Sequence, residues 1–159
     1  MSLSQATKPF ILFELAGTAY AIPSDAVQQM EMVDQITPVP DAPSFVDGVV
    51  FVRGQVVPVV NLRARFGFER VPLTLKTRLM VVSRHGRTVG FLVDSAREFI
   101  TLSEESISPP PEAVTGLSGK YLAGIANTAN RLVLILDIDE VLMFQDLPGG
   151  GAIDVRDKK

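Results

Sequence analysis

Asp137, Asp139 and Glu140 place three carboxylates within one turn of chain, a composition shared by hard-cation sites and helix starts. Asp137 followed three residues later by Glu140 has the spacing of a capping box, which predicts a helix through Val141 to Phe144 and explains the cluster without a metal. His85, the only histidine, precedes Gly86 between two apolar runs, the setting of a solvated turn residue and not of a general base. Gly116 to Tyr121, GLSGKY, shares only Gly119-Lys120 with a phosphate loop. The leading glycine would fall at Val114, and Tyr121 stands where a hydroxyl residue should bind magnesium. With no cysteine, disulfides and thiolate metal sites are excluded. These residues make no catalytic constellation and call for no cofactor or metal.

Three arginines remain as candidates for recognition. Arg53, next to Gly54, reads as the tip of a hairpin, where a guanidinium can fork to carboxylates or carbonyls; simple solvation is the competing reading. Arg63 and Arg65 fall at the end of a short helix, where they can contact a partner or satisfy that helix's own C-terminal carbonyls. Val27, Val49 and Phe51 read as core residues, and any of them found exposed belongs to a binding patch.

The elements that must position these residues are mostly strands. An extended segment with Val49, Phe51 and Arg53 on one side and Val50 and Val52 on the other pairs with Gln55 to Val60 as a hairpin across Gly54, and its apolar character on both faces predicts burial between two layers. Pro58 in that run calls for a bulge or an edge position. Asn61 can cap a helical turn through Phe66, closed by Gly67. Earlier, Phe10 to Leu15 and Thr18 to Ile22 flank Ala16-Gly17, Ser24 is placed to cap a brief turn, and Gln28 to Val33 alternates as a half-exposed strand whose polar side faces outward. The prolines of Ile36 to Phe45 make it a connector. Later, Thr77 to Arg84 pairs with Thr88 to Asp94 across His85-Gly86, Ala96 to Leu102 is a strand, Ser106 to Pro111 is stiff extended chain, and Tyr121 to Asn127 pairs with Arg131 to Leu136. Nine or ten short strands are too many for one five-stranded barrel.

The segment Gly48 to Gly67 resembles the pattern G-x-x-N-L-R-G-x-x-x-P-V-x-D-L-R-x-x-F-G of the CheW-like domain. Gly48, Arg53, Gly54, Pro58, Val59, Leu62, Arg63, Phe66 and Gly67 fit it, while Phe51 replaces Asn, Val52 replaces Leu and Asn61 replaces Asp. Val89 to Asp94, Ile107 to Pro111 and Tyr121 to Val141 resemble further parts of the family, so the likeness covers nearly the whole chain. It implies a mainly β fold of two five-stranded SH3-like barrels packed around a shared hydrophobic core, with short helices and terminal segments that cross between halves. The single domain would span 9–147, with loose ends at 1–8 and 148–159. The resemblance also implies a non-catalytic adaptor that couples the cytoplasmic tip of chemoreceptors to a CheA-type histidine kinase, binding the kinase through its regulatory domain. Its receptor-contacting region corresponds here to Arg53, Gly48, Phe51, Val27 and Gln29, with Arg63 and Arg65 as partner-binding or structural residues.

Composition agrees with a protein-binding role. The chain has 159 residues, 47% of them hydrophobic, enough for one ordinary core. Its net charge of -3 and pI near 5.1 oppose a nucleic-acid-binding barrel, which would present a basic face with exposed aromatics. A small-ligand barrel or enzyme would require a deep polar pocket between the barrels. The N-terminal MSLSQATKPF lacks the pattern of a signal peptide, and no apolar run is long enough to span a bilayer. The expectation is a cytoplasmic protein with no membrane insertion of its own, recruited to receptor arrays.

Overall fold

The structure, a computed structural model, describes residues 6–111, 119–128 and 131–143. Strands β1 (Thr7–Leu15), β2 (Thr18–Pro23), β3 (Val27–Met32), β4 (Val46–Val52) and β5 (Gln55–Asn61) precede helix α1 (Leu62–Arg65). Then follow β6 (Arg78–Arg84), β7 (Arg87–Val93), β8 (Ser95–Ser103), β9 (Ile107–Ser108), β10 (Leu122–Thr128), β11 (Arg131–Leu136) and α2 (Ile138–Val141). One sheet has the order β8-β1-β2-β11-β10-β9 and the other β3-β6-β7-β5-β4. The first joins the two ends of the chain through the parallel pair β2–β11, which is the crossing expected of the terminal segments. It has six strands where five are expected, because the stiff segment before the prolines contributes β9, paired with β10 at Ile107 and Ser108.

Strand alternation builds three cores. On β1, Phe10 and Leu12 enter a cluster with Ala21, Leu102, Ala126, Val133 and Ile135, the interior of the first sheet. Leu79 and Val81 of β6, with Val59 and Leu92, fill the second. The intervening residues of both sheets, Ile11, Phe13 and Leu15 on one side and Met80, Val82, Phe91 and Val93 on the other, meet in the shared core. A strand buried on both faces reads as a continuous apolar run, and β1, β6 and β7 do so for this reason. The molecule is therefore two small barrels packed face to face.

The central hairpin departs from expectation. Its base is buried, with Val57, Val59 and Val60 fully covered, but β4 is an edge strand and the distal half projects: Phe51 is 73% exposed and Val56 50%. The burial expected on both faces holds only at the base, where Val59 enters the second barrel's own core and Val60 the core shared with the first. Pro58 sits opposite Val49, whose backbone N–H and carbonyl turn away from β5 onto Thr37 (2.8 and 3.0 Å). The missing proline donor therefore costs no β4–β5 bond, and the bulge falls on β4 between Val46 and Gly48. Two smaller expectations also shift. Ser24 is the first residue of its 3-10 turn and makes no side-chain cap, and β1 begins at Thr7, so Thr7 and Lys8 pair with Ser103 and Leu102 instead of lying loose.

Candidate functional site

Arg53 and Gly54 take φ values of 50° and 78°, the two left-handed positions of a type I′ hairpin turn. Ala16-Gly17 and His85-Gly86 have the same form, so this geometry belongs to tight hairpins and not to a special site. Strand alternation ends at Val52, and Arg53 therefore does not continue the Val49–Phe51 side as its spacing implies. Its side chain is 76% exposed, and its Nε lies 3.9 Å from a carboxylate oxygen of Glu31. That contact brings the end of β3 to the tip of β4, the two edges of the second sheet. Between them runs a groove of about 410 Å³ lined by Glu31, Met32, Asp34, Phe51 and Arg53, with Val50 and Leu79 among its apolar residues.

The other candidates lie elsewhere. Val27 packs against the shared core, and Gln29 is half-buried on β3; neither lines the groove. Gly48 has φ 143°, and a Cβ added there would stand 2.0 Å from the carbonyl oxygen of Thr37. Only glycine fits, so backbone geometry dictates this residue. Met32 follows Met30 on the apolar side of β3, but where Met30 packs against the shared core, Met32 at the strand's end is 66% exposed. Met32 and Asp34 are groove residues that the sequence reading missed; alternation places Met32 with Met30 on the apolar side of the strand and so reads it as interior.

The hydrogen bonds of the two helical arginines lead away from their own helix. Arg63 forks onto Asp94, Nε to Oδ1 at 2.9 Å and Nη2 to Oδ2 at 2.7 Å, while Nη1 donates to the Glu69 carbonyl. Asp94 Oδ2 also accepts from the backbone N–H of Ala16 in the β1–β2 turn, so the pair links the two barrels. The hydrogen bond to Asp94 holds the Arg63 pKa above its ordinary value. Burial alone would raise the Asp94 carboxyl, but the bonds from Arg63 and Ala16 and the Arg63 charge outweigh it and leave the pKa lowered. Arg65 donates to the carbonyls of Val141 and Met143 at the end of α2 and lies over the rings of Phe45 and Tyr121, 4.3 and 5.1 Å from their centroids. Both arginines hold the fold.

The carboxylates near the C-terminus are structural as well. Asp137 accepts from the N–H of Glu140 at 3.1 Å and starts α2, whose helical span ends at Val141. Phe144, the expected end, lies outside the described residues. The N–H of Asp137 is already bonded to Tyr121, so the box is only half formed. Asp139 accepts from Arg84 and contacts His85, which is 73% exposed in its turn. Among the described residues no group of His, Cys, Asp and Glu could hold a metal ion, and no helix is long and apolar enough to cross a membrane. The loop Gly116 to Gly119 lies largely outside the described residues.

A double-barrel β chain whose second barrel projects a hairpin with an exposed aromatic and an exposed arginine has the make-up of a binding module. The CheW-like domain family model matches residues 9–145, and the chain belongs to that family. It is 31% identical over 138 residues to chemotaxis protein CheW of Klebsiella aerogenes, covering 87% of this chain and 83% of that one. With chemotaxis protein CheW of Helicobacter pylori it shares 35% identity over 135 residues, 84% and 80% of the two chains. The crystal structure of scaffolding protein TtCheW from Thermoanaerobacter tengcongensis matches the fold with a TM-score of 0.82 at 29% identity, over 89% of this chain and 97% of that one. Family membership supports a scaffold role in chemotaxis.

Proposed function

We propose that the protein is a non-catalytic adaptor that couples the cytoplasmic tip of chemoreceptors to the regulatory domain of a CheA-type histidine kinase. The observation that carries this reading is the pairing of Phe51 and Arg53, an exposed aromatic and an exposed guanidinium on one projecting hairpin of a chemotaxis scaffold fold. Aromatic and arginine side chains are the types that most often anchor protein interfaces. Arg53 and Phe51 would face the receptor, while Gly48 shapes the strand beneath them and Arg63 and Arg65 hold the frame. The kinase would dock through a domain of the same fold, barrel against barrel, a heterologous contact able to build rings. Contacts of modest affinity become effective in an array, where many copies are held close together at the membrane.

Co-sedimentation with receptor-containing membranes and the cognate kinase tests the whole reading: the kinase should reach the pellet only when the adaptor is present. Size-exclusion chromatography with the kinase regulatory domain, at tens of micromolar, tests the second contact. Unchanged elution with both proteins folded would overturn it.

A further inference from the structure

The second barrel has an open seam. Thr37 bridges to the edge of β4 at Val49, each residue donating its N–H to the other's carbonyl. Continuing that antiparallel register would set Gln35 opposite Phe51. Instead the chain bends at Asp34, the pairing stops after Thr37, and Gln35 and Phe51 both border the groove of about 410 Å³. Alternation turns the N–H and carbonyl of Phe51 the same way as those of Val49, away from β5, and among the described residues no backbone group meets them. The Phe51 and Met32 side chains, 73% and 66% exposed, line this groove from the two edges. Its carboxylates outnumber its cations: Glu31 and Asp34 against Arg53, with Asp34 exposed and unpaired among the described residues.

We infer that this seam accepts an extended segment of another protein, added as a short strand to the edge of β4 at Phe51 and carrying alternating apolar and basic side chains. The open backbone pair demands a strand and not a helix, since a helix has spent its own N–H and carbonyl groups internally. An apolar side chain of the segment would lie between Phe51 and Met32, and a neighbouring lysine or arginine would reach Asp34 or Glu31. Strand addition of this kind draws affinity from the main chain and selectivity from the flanking side chains.

Fluorescence anisotropy with the purified full chain tests this without receptor or kinase, so its outcome is independent of the coupling reading. The probe is fluorescein-labelled Lys-Val-Lys-Val-Lys-Val, compared with its Glu-Val counterpart and with the same lysine peptide N-methylated at alternate residues. Saturable binding of the first is expected, with at least about tenfold weakening in the other two. Asp34→Asn should weaken the lysine peptide several-fold, and exchange of the Phe51 amide should slow when it binds. Equal binding of the N-methylated peptide would mean charge attraction alone and would overturn the inference. So would absence of saturable binding, or exchange at Phe51 that the peptide leaves unchanged.

Discussion

Arg65 donates to the carbonyl of Val141 at 3.1 Å across 76 residues of sequence, so an arginine on α1 satisfies the end of α2. A second arginine of the same barrel, Arg87, donates to the carbonyl of Leu142 at 3.1 Å. The C-terminal helix is thereby held against the middle of the chain, and the two barrels are clasped through it.

Replacing Arg65 with alanine should lower unfolding free energy by about 2 kcal/mol, through two lost hydrogen bonds and the lost contact with two aromatic rings. Lysine should recover only part of this, because it cannot reproduce the planar fork. Urea unfolding of the three proteins checks the order.

The Arg63–Asp94 pair makes stability pH-dependent in a defined sense. The folded-state pKa of Asp94 lies below its unfolded value, so its contribution is fully present above the unfolded value, near pH 4. It is lost as the pH falls through the lower folded value. Arg63 stays charged throughout. In acid titrations followed by unfolding, Asp94→Asn should be less stable than wild type near neutrality and should lose less between about pH 4 and pH 2. Parallel curves would remove the pair from the acid response.

Gly48→Asp should lower the melting temperature strongly, with a loss of about 3 kcal/mol or more, since φ is 143° and the new Cβ would meet the Thr37 carbonyl at 2.0 Å. Gly54→Ala is the control. Its φ is 78°, but no atom lies within 4 Å of the added Cβ, so only conformational strain of about 1 kcal/mol remains. Parallel thermal melts separate the clash from the strain.

Asn61 accepts from the N–H of Ala64 and donates its Nδ2 to Asp47 at 2.8 Å, which gives a physical reason for asparagine where the family pattern has aspartate. Asn61→Ala should cost about 1 to 2 kcal/mol through the lost cap. Asn61→Asp keeps the cap but sets two carboxylates together, so it should be destabilising at neutral pH and recover when Asp47 is also changed to asparagine. A double-mutant cycle measures that coupling.

Arg53→Glu should reduce receptor-dependent kinase stimulation while leaving the melting temperature within the error of wild type, because the side chain is 76% exposed and its contact with Glu31 is as long as 3.9 Å. The loss should be on the order of 2 kcal/mol if a partner covers the residue and much smaller at an interface rim. Stimulation equal to wild type would take Arg53 out of the receptor contact.

Much of this was legible in the sequence because it is local. The two-residue hairpins at Ala16-Gly17, Arg53-Gly54 and His85-Gly86, the Asn61 cap and the Asp137 cap each depend on neighbours a few residues away, and continuous apolar runs marked strands buried on both faces. The family pattern supplied the pairing of barrels. Tertiary structure decided the rest. Which strands form edges determines that Phe51 is exposed and Val57 covered, although both stand in similar apolar runs. Arg63 and Arg65 read alike as helix-end cations, yet one pairs with Asp94 and the other with the end of α2. Those partners are 31 and 76 residues distant, beyond the reach of any local pattern. Gly48 likewise became a matter of backbone space only when the connector laid Thr37 against it. Short-range hydrogen bonding and alternation are written in the chain, whereas exposure and long-range ion pairing exist only once the barrels have closed and packed.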